Sequence, residues 1–208
     1  MTMPGVGQVS QIGQAVGQTG LLTNQGNAPY TELARQGIWN VATVTAFAPI
    51  IAFPTTVARL EIFNNSAAAG PLITLQIIDL FAFQLLGTAA TQTYAIWAAV
   101  ATEAAPSSTA LSVFSQSGKP LFTSGASSSI ITGVGTTMVA NGWRPWGTVQ
   151  AWGTAAATPG NSLVAEVHGK LLVPPGAALH LQVVGSLATA STFQTLGASF
   201  AAVVQNNV

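Results

Sequence analysis

Two histidines and five carboxylates supply the acid–base chemistry that this chain of 208 residues could perform at neutral pH. They are Glu32, Glu61, Asp79, Glu103, Glu166, His168 and His180. A nucleophile–base–acid set needs a His beside an Asp or Glu, with a Ser in reach. Only Glu166, His168 and His180 can be assembled into such a group, since Glu166 and His168 lie two apart on one strand face and His180 is predicted to be near.

The same three residues could ligate zinc, but this pattern also appears on any outward strand face. They are predicted to lie on a regular hairpin and not in a pocket, which favours a solvated or intersubunit polar face. We therefore expect no catalytic residue, no metal site and no cofactor in this chain. The absence of Cys removes thiolate nucleophiles, and the sequence has no G-x-S-x-G elbow, P-loop, H-E-x-x-H or EF-hand loop.

One carboxylate, Asp79, lies inside an apolar predicted strand. A buried carboxylate must be paired, hydrogen-bonded or neutralised, so we expect Arg59 or backbone amides as its partners. Arg59 and Glu61 share a strand face and are predicted to form a surface pair of small energetic worth.

Charge is scarce in the whole sequence. Charged residues make up 5% of the chain, five of each sign, so the formal net charge is zero. Binding to nucleic acid or to an anionic membrane needs clustered Lys and Arg, and no such cluster exists. No apolar segment reaches the roughly 20 residues of a spanning helix. No signal peptide is recognisable, so we expect synthesis in the cytoplasm. Near-zero net charge also promotes association.

Short runs rich in Val, Ile, Thr and aromatic residues, bounded by Gly, Pro, Asn and Ser, predict an all-β protein. The predicted strands are Trp39–Ala46, Val57–Asn64, Leu72–Leu86, Thr93–Val100, Leu111–Ser115, Pro120–Ser124, Thr136–Val139, Thr148–Trp152, Ser162–Val173, Ala178–Val184 and Leu196–Val204. A short helical turn is predicted at Tyr30–Gln36. This arrangement is typical of a jelly-roll-like antiparallel β-sandwich in a single domain of residues 29–208.

The segment Ser162–Val184 alternates between polar and apolar residues on both sides of Pro174-Pro175-Gly176. Matching the apolar faces predicts a hairpin with Gly176 at positive φ. Lys170 would then lie near His180, and His168 near Gln182.

Two segments are candidate interfaces. The strand Leu72–Leu86 is apolar on both faces, so a covering loop or a neighbouring subunit is expected on its second face. The segment 141–152 concentrates three tryptophans around an arginine. It is predicted to be a loop folded over the core, an interface anchor or a carbohydrate-stacking platform. The candidate interface residues are Trp143, Arg144, Trp146, Trp152, Leu72, Ile78 and Leu80.

The first 28 residues are low in complexity and repeat an apolar-small-Gln triplet. They are predicted to be a disordered tail, an amphipathic helix or an extended arm that orders against a partner. In the last case the apolar residues of the repeat would contact the partner. These residues are Val6, Val9, Ile12 and Val16.

The segment Glu166–Val203, "EVHGKLLVPPGAALHLQVVGSLATASTFQTLGASFAAV", resembles the closing strands of small jelly-roll structural proteins of tailed phages. The resemblance covers about a fifth of the chain. It implies homotrimers that decorate or cement a capsid, with the major capsid protein as partner and the virion surface as location. The alternatives are a tail, neck or fibre component, or a carbohydrate-binding module that uses the Trp-rich segment.

Overall fold

The structure is a computed structural model that describes residues 38–43, 45–54, 57–69, 72–86, 92–106, 111–115, 120–123, 130–137, 142–152, 161–186 and 192–204. The chain divides into two compact units, Met1–Ile38 and Trp39–Val208. The predicted arm (residues 1–28) with Val6, Val9, Ile12 and Val16, and the predicted turn Tyr30–Gln36, lie outside the described residues. Within the described residues, no helix is long and apolar enough to cross a membrane.

The described residues form eleven strands and one short helix. The strands are β1 (Ile38–Ala42), β2 (Val57–Asn64), β3 (Ile73–Leu86), β4 (Gln92–Thr102), β5 (Ser112–Ser115), β6 (Pro120–Thr123), β7 (Ile130–Thr137), β8 (Arg144–Trp152), β9 (Asn161–Val173), β10 (Ala177–Gly185) and β11 (Thr192–Val204). The helix α1 spans Ser66–Ala69. The predicted strands correspond to these one by one, with the largest error at β7, which begins six residues earlier than the predicted Thr136.

The strands form two antiparallel sheets that pack face to face. The six-stranded sheet has the order β6-β5-β1-β11-β3-β9, and the five-stranded sheet has the order β7-β2-β10-β4-β8. Across the two sheets, the first strand pairs with the last and each later strand pairs with a successively earlier one. These pairs, β1–β11, β2–β10, β3–β9 and β4–β8, are the pairing pattern of a jelly roll. The remaining strands β5, β6 and β7 are inserted between β4 and β8 and extend both sheets on the β1 and β2 side. The predicted jelly-roll sandwich is therefore confirmed.

The core between the sheets is built by alternation along the central strands. Side chains of β2, β3, β10 and β11 dominate it, with Tyr94, Phe193 and Phe200 the largest fully buried ones. Tyr94 packs edge-on against Phe193 at 5.2 Å between ring centroids, and Phe193 stacks on Phe47 at 5.7 Å. These aromatic contacts join β4, β11 and the segment after β1 into one core.

A β-bulge explains why β3 is apolar on both faces. Between the pairs Ile77↔Leu171 and Asp79↔Glu166, one residue of β3 stands against four of β9. The bulge reverses the alternation, so Leu75 and Ile77 face the core before it, and Leu80 and Ala82 face the core after it. The bulge thus accounts for core-facing apolar residues at both parities of β3, while Phe83 remains exposed on the outer face.

The predicted hairpin of β9 and β10 is wrong. β9 pairs with β3 in one sheet, and β10 pairs with β2 and β4 in the other. Pro174-Pro175-Gly176 is instead a crossing between the sheets, and the predicted positive φ of Gly176 is observed at 76°. The predicted hairpin and the observed arrangement both require the apolar residues of β9 and β10 to face the same core. The alternation of polar and apolar residues therefore fits either arrangement. Lys170 and His180 therefore lie in different sheets.

Asn64 stabilises this crossing between the sheets through hydrogen bonds. Its fully buried amide donates hydrogen bonds to the carbonyl oxygens of Ile73 and Val173, each at 2.8 Å. Its Oδ1 accepts from the Ser66 amide at 3.2 Å, and its backbone carbonyl accepts from Gly176 N at 2.8 Å. One side chain of β2 thus holds the ends of β3 and β9 in the opposite sheet.

Replacing Asn64 tests this role. In Asn64→Asp a carboxylate meets two carbonyl oxygens that have lost their donor, and we expect the free energy of unfolding to fall by about 3 kcal/mol. Asn40→Asp, on a half-buried residue of β1, is the matched control and should change it by less than about 0.5 kcal/mol. Urea unfolding curves measure both, and equal midpoints for the two variants would contradict the assignment.

Candidate functional site

The most unusual polar group in the described residues lies on the outer face of the five-stranded sheet. The β2–β10 register sets His180 directly opposite Glu61, and the β10–β4 register sets it opposite Ala99. The neighbours Leu179 and Leu181 face the core, so alternation turns His180 outward. The methyl side chain of Ala99 leaves room beside the imidazole.

A second carboxylate reaches the same place from the end of β4. Glu103 follows the last residue of that strand, and its Oε1 contacts Nε2 of His180. The same Nε2 lies 3.9 Å from Oε1 of Glu61. Ligand atoms of the three residues all lie within 4.8 Å of one another. We call Glu61, Glu103 and His180 the Glu–Glu–His cluster.

The cluster is buried although it lies on an outer sheet face. Side-chain exposure is 0% for His180, 2% for Glu61 and 12% for Glu103. The buried Trp143, just before β8, meets the His180 ring edge-on with 6.4 Å between centroids. Together with Ala99 it belongs to a small apolar group that is separate from the main core. The tryptophan thus excludes water from an ionisable cluster.

Burial favours the uncharged forms of these groups. Desolvation lowers the pKa of His180 to about 4, so its imidazole is neutral at pH 7. Desolvation raises the pKa of Glu103, and a hydrogen bond with Glu61 partly offsets this. Two carboxyl groups can share a hydrogen bond only when one of them carries a proton. The cluster therefore combines a neutral imidazole with a hydrogen-bonded pair of carboxyl groups.

The cluster also contains buried polar atoms whose hydrogen bonding is incomplete. Neither ring nitrogen of His180 makes a hydrogen bond of acceptable geometry, and the same is true of Oε1 of Glu103 and Nε1 of Trp143. Most buried polar side-chain atoms in proteins have a hydrogen-bond partner, so a group of this kind needs an explanation. The hydrogen bond between Glu61 and Glu103 accounts for the contact of these two carboxyl groups. A bound cation would in addition account for the unsatisfied atoms of His180 and Glu103.

The structure does not bring together the three residues that the sequence grouped. Glu166 and His168 hydrogen-bond to each other at 3.0 Å on the outer face of the six-stranded sheet, whereas His180 belongs to the five-stranded sheet. The acidic neighbours of His180 are Glu61 and Glu103, which sequence reasoning did not connect with it. The predicted surface pair of Glu61 with Arg59 is also wrong, because Glu61 is buried in the cluster.

Asp79 and Arg59 are likewise apart. Arg59 donates to the carbonyl oxygen of Thr45 at 2.9 Å and lies over the Phe47 ring at 4.8 Å. Asp79 stands opposite Glu166, and desolvation together with this neighbour raises its pKa, while nearby His168 lowers it. The expected Asp79–Arg59 pair is therefore not formed.

The outer face of β9, β3 and β11 forms a second distinctive surface, which we call the β9 face. Val164 and Phe83 are 57% and 37% exposed near one end, and Leu172 and Val203 are 52% and 38% exposed at the other. Between them lies a polar band. It contains Asp79, Glu166, His168 and Lys170. Of the seven exposed large apolar residues described, four lie on this face.

The candidate interface residues from the sequence fall in several environments. Leu80 belongs to the core between the sheets, Ile78 is buried at the bulge, and Leu72 is half-buried before β3. Trp143 covers the Glu–Glu–His cluster, Arg144 is exposed and Trp146 is half-buried. Trp152 ends β8, and its side chain lies outside the described residues. Because Trp143 is only 5% exposed, its ring faces are not open for stacking on a sugar.

Comparisons of this chain with protein-family models, with curated proteins and with solved structures find no match.

Proposed function

We propose that this protein is a structural protein that associates with copies of itself through the β9 face and decorates or cements a tailed-phage capsid. The observation that carries the proposal is the exposure of Val164, Phe83, Leu172 and Val203 on one sheet face. Exposed large apolar side chains grouped on one face of a protein favour an interaction site there. Fully burying one such side chain contributes about 1.5–3 kcal/mol before the costs of association.

The charges of the β9 face favour a second copy as the occupant. The band between the apolar ends holds Glu166 and Lys170, so the face presents both signs. The formal net charge of the chain is zero, which leaves little long-range repulsion between copies. A surface with both signs between apolar ends can complement a rotated copy of itself or a neighbouring copy in a ring.

The architecture also suits assembly. Jelly rolls are the domains of many viral capsids, although a fold alone does not imply a function. The inserted strands β5, β6 and β7 extend one side of both sheets and leave β8 and β9 at the other side. Among the described strands, β9 is the edge of its sheet, so the β9 face lies where a neighbouring subunit would have access. In this proposal the major capsid protein is the second partner, bound by the N-terminal arm.

The mass of the protein in solution tests self-association. Light scattering should give about three times the 21.1 kDa chain, about 63 kDa, for a homotrimer. Val164→Glu should shift the mass towards a monomer, because it places a charge in the apolar contact. Val57→Glu, on a 47% exposed valine of the five-stranded sheet, is the matched control and should leave the mass unchanged. A monomeric unmodified protein, or equal effects of the two variants, would overturn the proposal.

Attachment to the capsid is tested separately. Deleting residues 1–27 should abolish co-sedimentation of the protein with capsids, while the circular dichroism of the β-sandwich and the number of chains per oligomer stay unchanged. A full-length variant with serine at the four positions Val6, Val9, Ile12 and Val16 should lose attachment as well, since the apolar repeat makes the contact. Undiminished capsid occupancy of both variants would contradict the role of the arm. Labelling the protein in intact virions distinguishes a capsid location from the tail, neck or fibre.

A further inference from the structure

We infer that the Glu–Glu–His cluster is a binding site for one divalent transition-metal ion of the zinc class, formed by Glu61, Glu103 and His180 beneath Trp143. The site lies on the outer face of the five-stranded sheet, away from the β9 face, and would form in a monomer as well.

The donor set suits such an ion. Zinc binds imidazole nitrogen at about 2.0–2.1 Å and carboxylate oxygen at about 2.0–2.2 Å. Two ligands of a tetrahedral zinc are therefore about 3.3 Å apart, and the wider 3.9 Å between Nε2 of His180 and Oε1 of Glu61 needs only a small adjustment. Calcium prefers six to eight oxygen ligands, and magnesium keeps most of its waters, so an imidazole in the set disfavours both.

One ligand must move when the ion enters. Oε1 of Glu103 now lies against Nε2 of His180, and the ion would separate these two atoms. Glu103 is free to make this movement because it follows β4, outside the hydrogen-bonded strand, and keeps 12% of its side chain exposed. His180 and Glu61, in contrast, are fixed by the register of β10 and β2. The site thus has two fixed ligands and one adjustable ligand.

Charge balance supports the ion independently of distance. A divalent cation and two carboxylates sum to zero when the imidazole is neutral, so no net charge would remain in a buried place. The imidazole ligates metals in its neutral form. The ring nitrogens of His180, neither of which makes a proper hydrogen bond, provide a buried polar group that points to a ligand.

The three ligands come from three neighbouring stretches of the five-stranded sheet. The ion would connect β2, β10 and the residue after β4, and so would stabilise the sheet face that Trp143 covers. Three protein ligands leave a fourth position for water, as in sites that are not closed by the protein alone. The ion would enter beside Glu103, the most exposed of the three ligands at 12%.

Metal titration of the full chain tests the inference. After treatment with EDTA, isothermal titration calorimetry with ZnCl₂ should show one ion per chain, and the Tm should rise with Zn²⁺ but not with the same concentration of Mg²⁺. Glu103→Gln keeps the shape of the side chain and should weaken zinc binding at least 10-fold. The matched control is His168→Asn, which removes an exposed histidine beside a glutamate on the other sheet and should leave binding unchanged.

The two variants distinguish binding at the Glu–Glu–His cluster from binding at the exposed pair of Glu166 and His168. Loss of binding in His168→Asn with retention in Glu103→Gln would place the ion at the surface pair and overturn the inference. Absence of one-equivalent binding to the unmodified protein would overturn it as well. Co²⁺ provides a second readout on the unmodified protein, since visible absorption bands of a low-coordinate cobalt site should appear and then disappear on addition of Zn²⁺. Bands that match those of aqueous Co²⁺ would contradict the site.

Discussion

The pairing of β2 with β10 in the middle of the five-stranded sheet is the constraint on which both the core and the cluster depend. Its register turns Leu60, Ile62, Leu179 and Leu181 towards the opposite sheet. The same alternation turns Glu61 and His180 to the other face, where they stand directly opposite each other. A slip of one residue would exchange the two faces and place the charged groups in the apolar core. The stability of the core therefore fixes the geometry of the cluster.

The fold was predictable from the sequence because the strands are short, apolar and bounded by turn residues, and β2 matches its predicted bounds Val57–Asn64. The connection through Pro174-Pro175-Gly176 was not predictable, since alternation reports only which face of a strand is buried and not which strand lies beside it. The bulge opposite Ile78 was hidden for a related reason. It consists of extra residues of β9, including His168 and Gly169 with positive φ, whereas the apolar pattern that it produces appears in β3.

The cluster could not be found from sequence spacing, because its three residues are far apart along the chain and meet only through strand register. The local signal that was available, Glu166 beside His168, marks an exposed pair with both side chains largely in water. What distinguishes Glu61 and His180 is that they are polar residues in β2 and β10, two strands that are buried on both faces over most of their length. Such burial becomes visible only when β4 and Trp143 are placed beside them.

The cluster also bears on self-association through the charges that it removes from the surface. The chain has five acidic residues, and two of them are in the cluster. A bound divalent ion would neutralise both carboxylates, so the five basic residues would face only three acidic ones in the rest of the chain. The protein would then carry a small positive charge, too small to oppose apolar contact on the β9 face at physiological ionic strength, where the Debye length is about 8 Å. Buried carboxylates on one sheet and apolar exposure on the other are thus compatible with the proposed self-association.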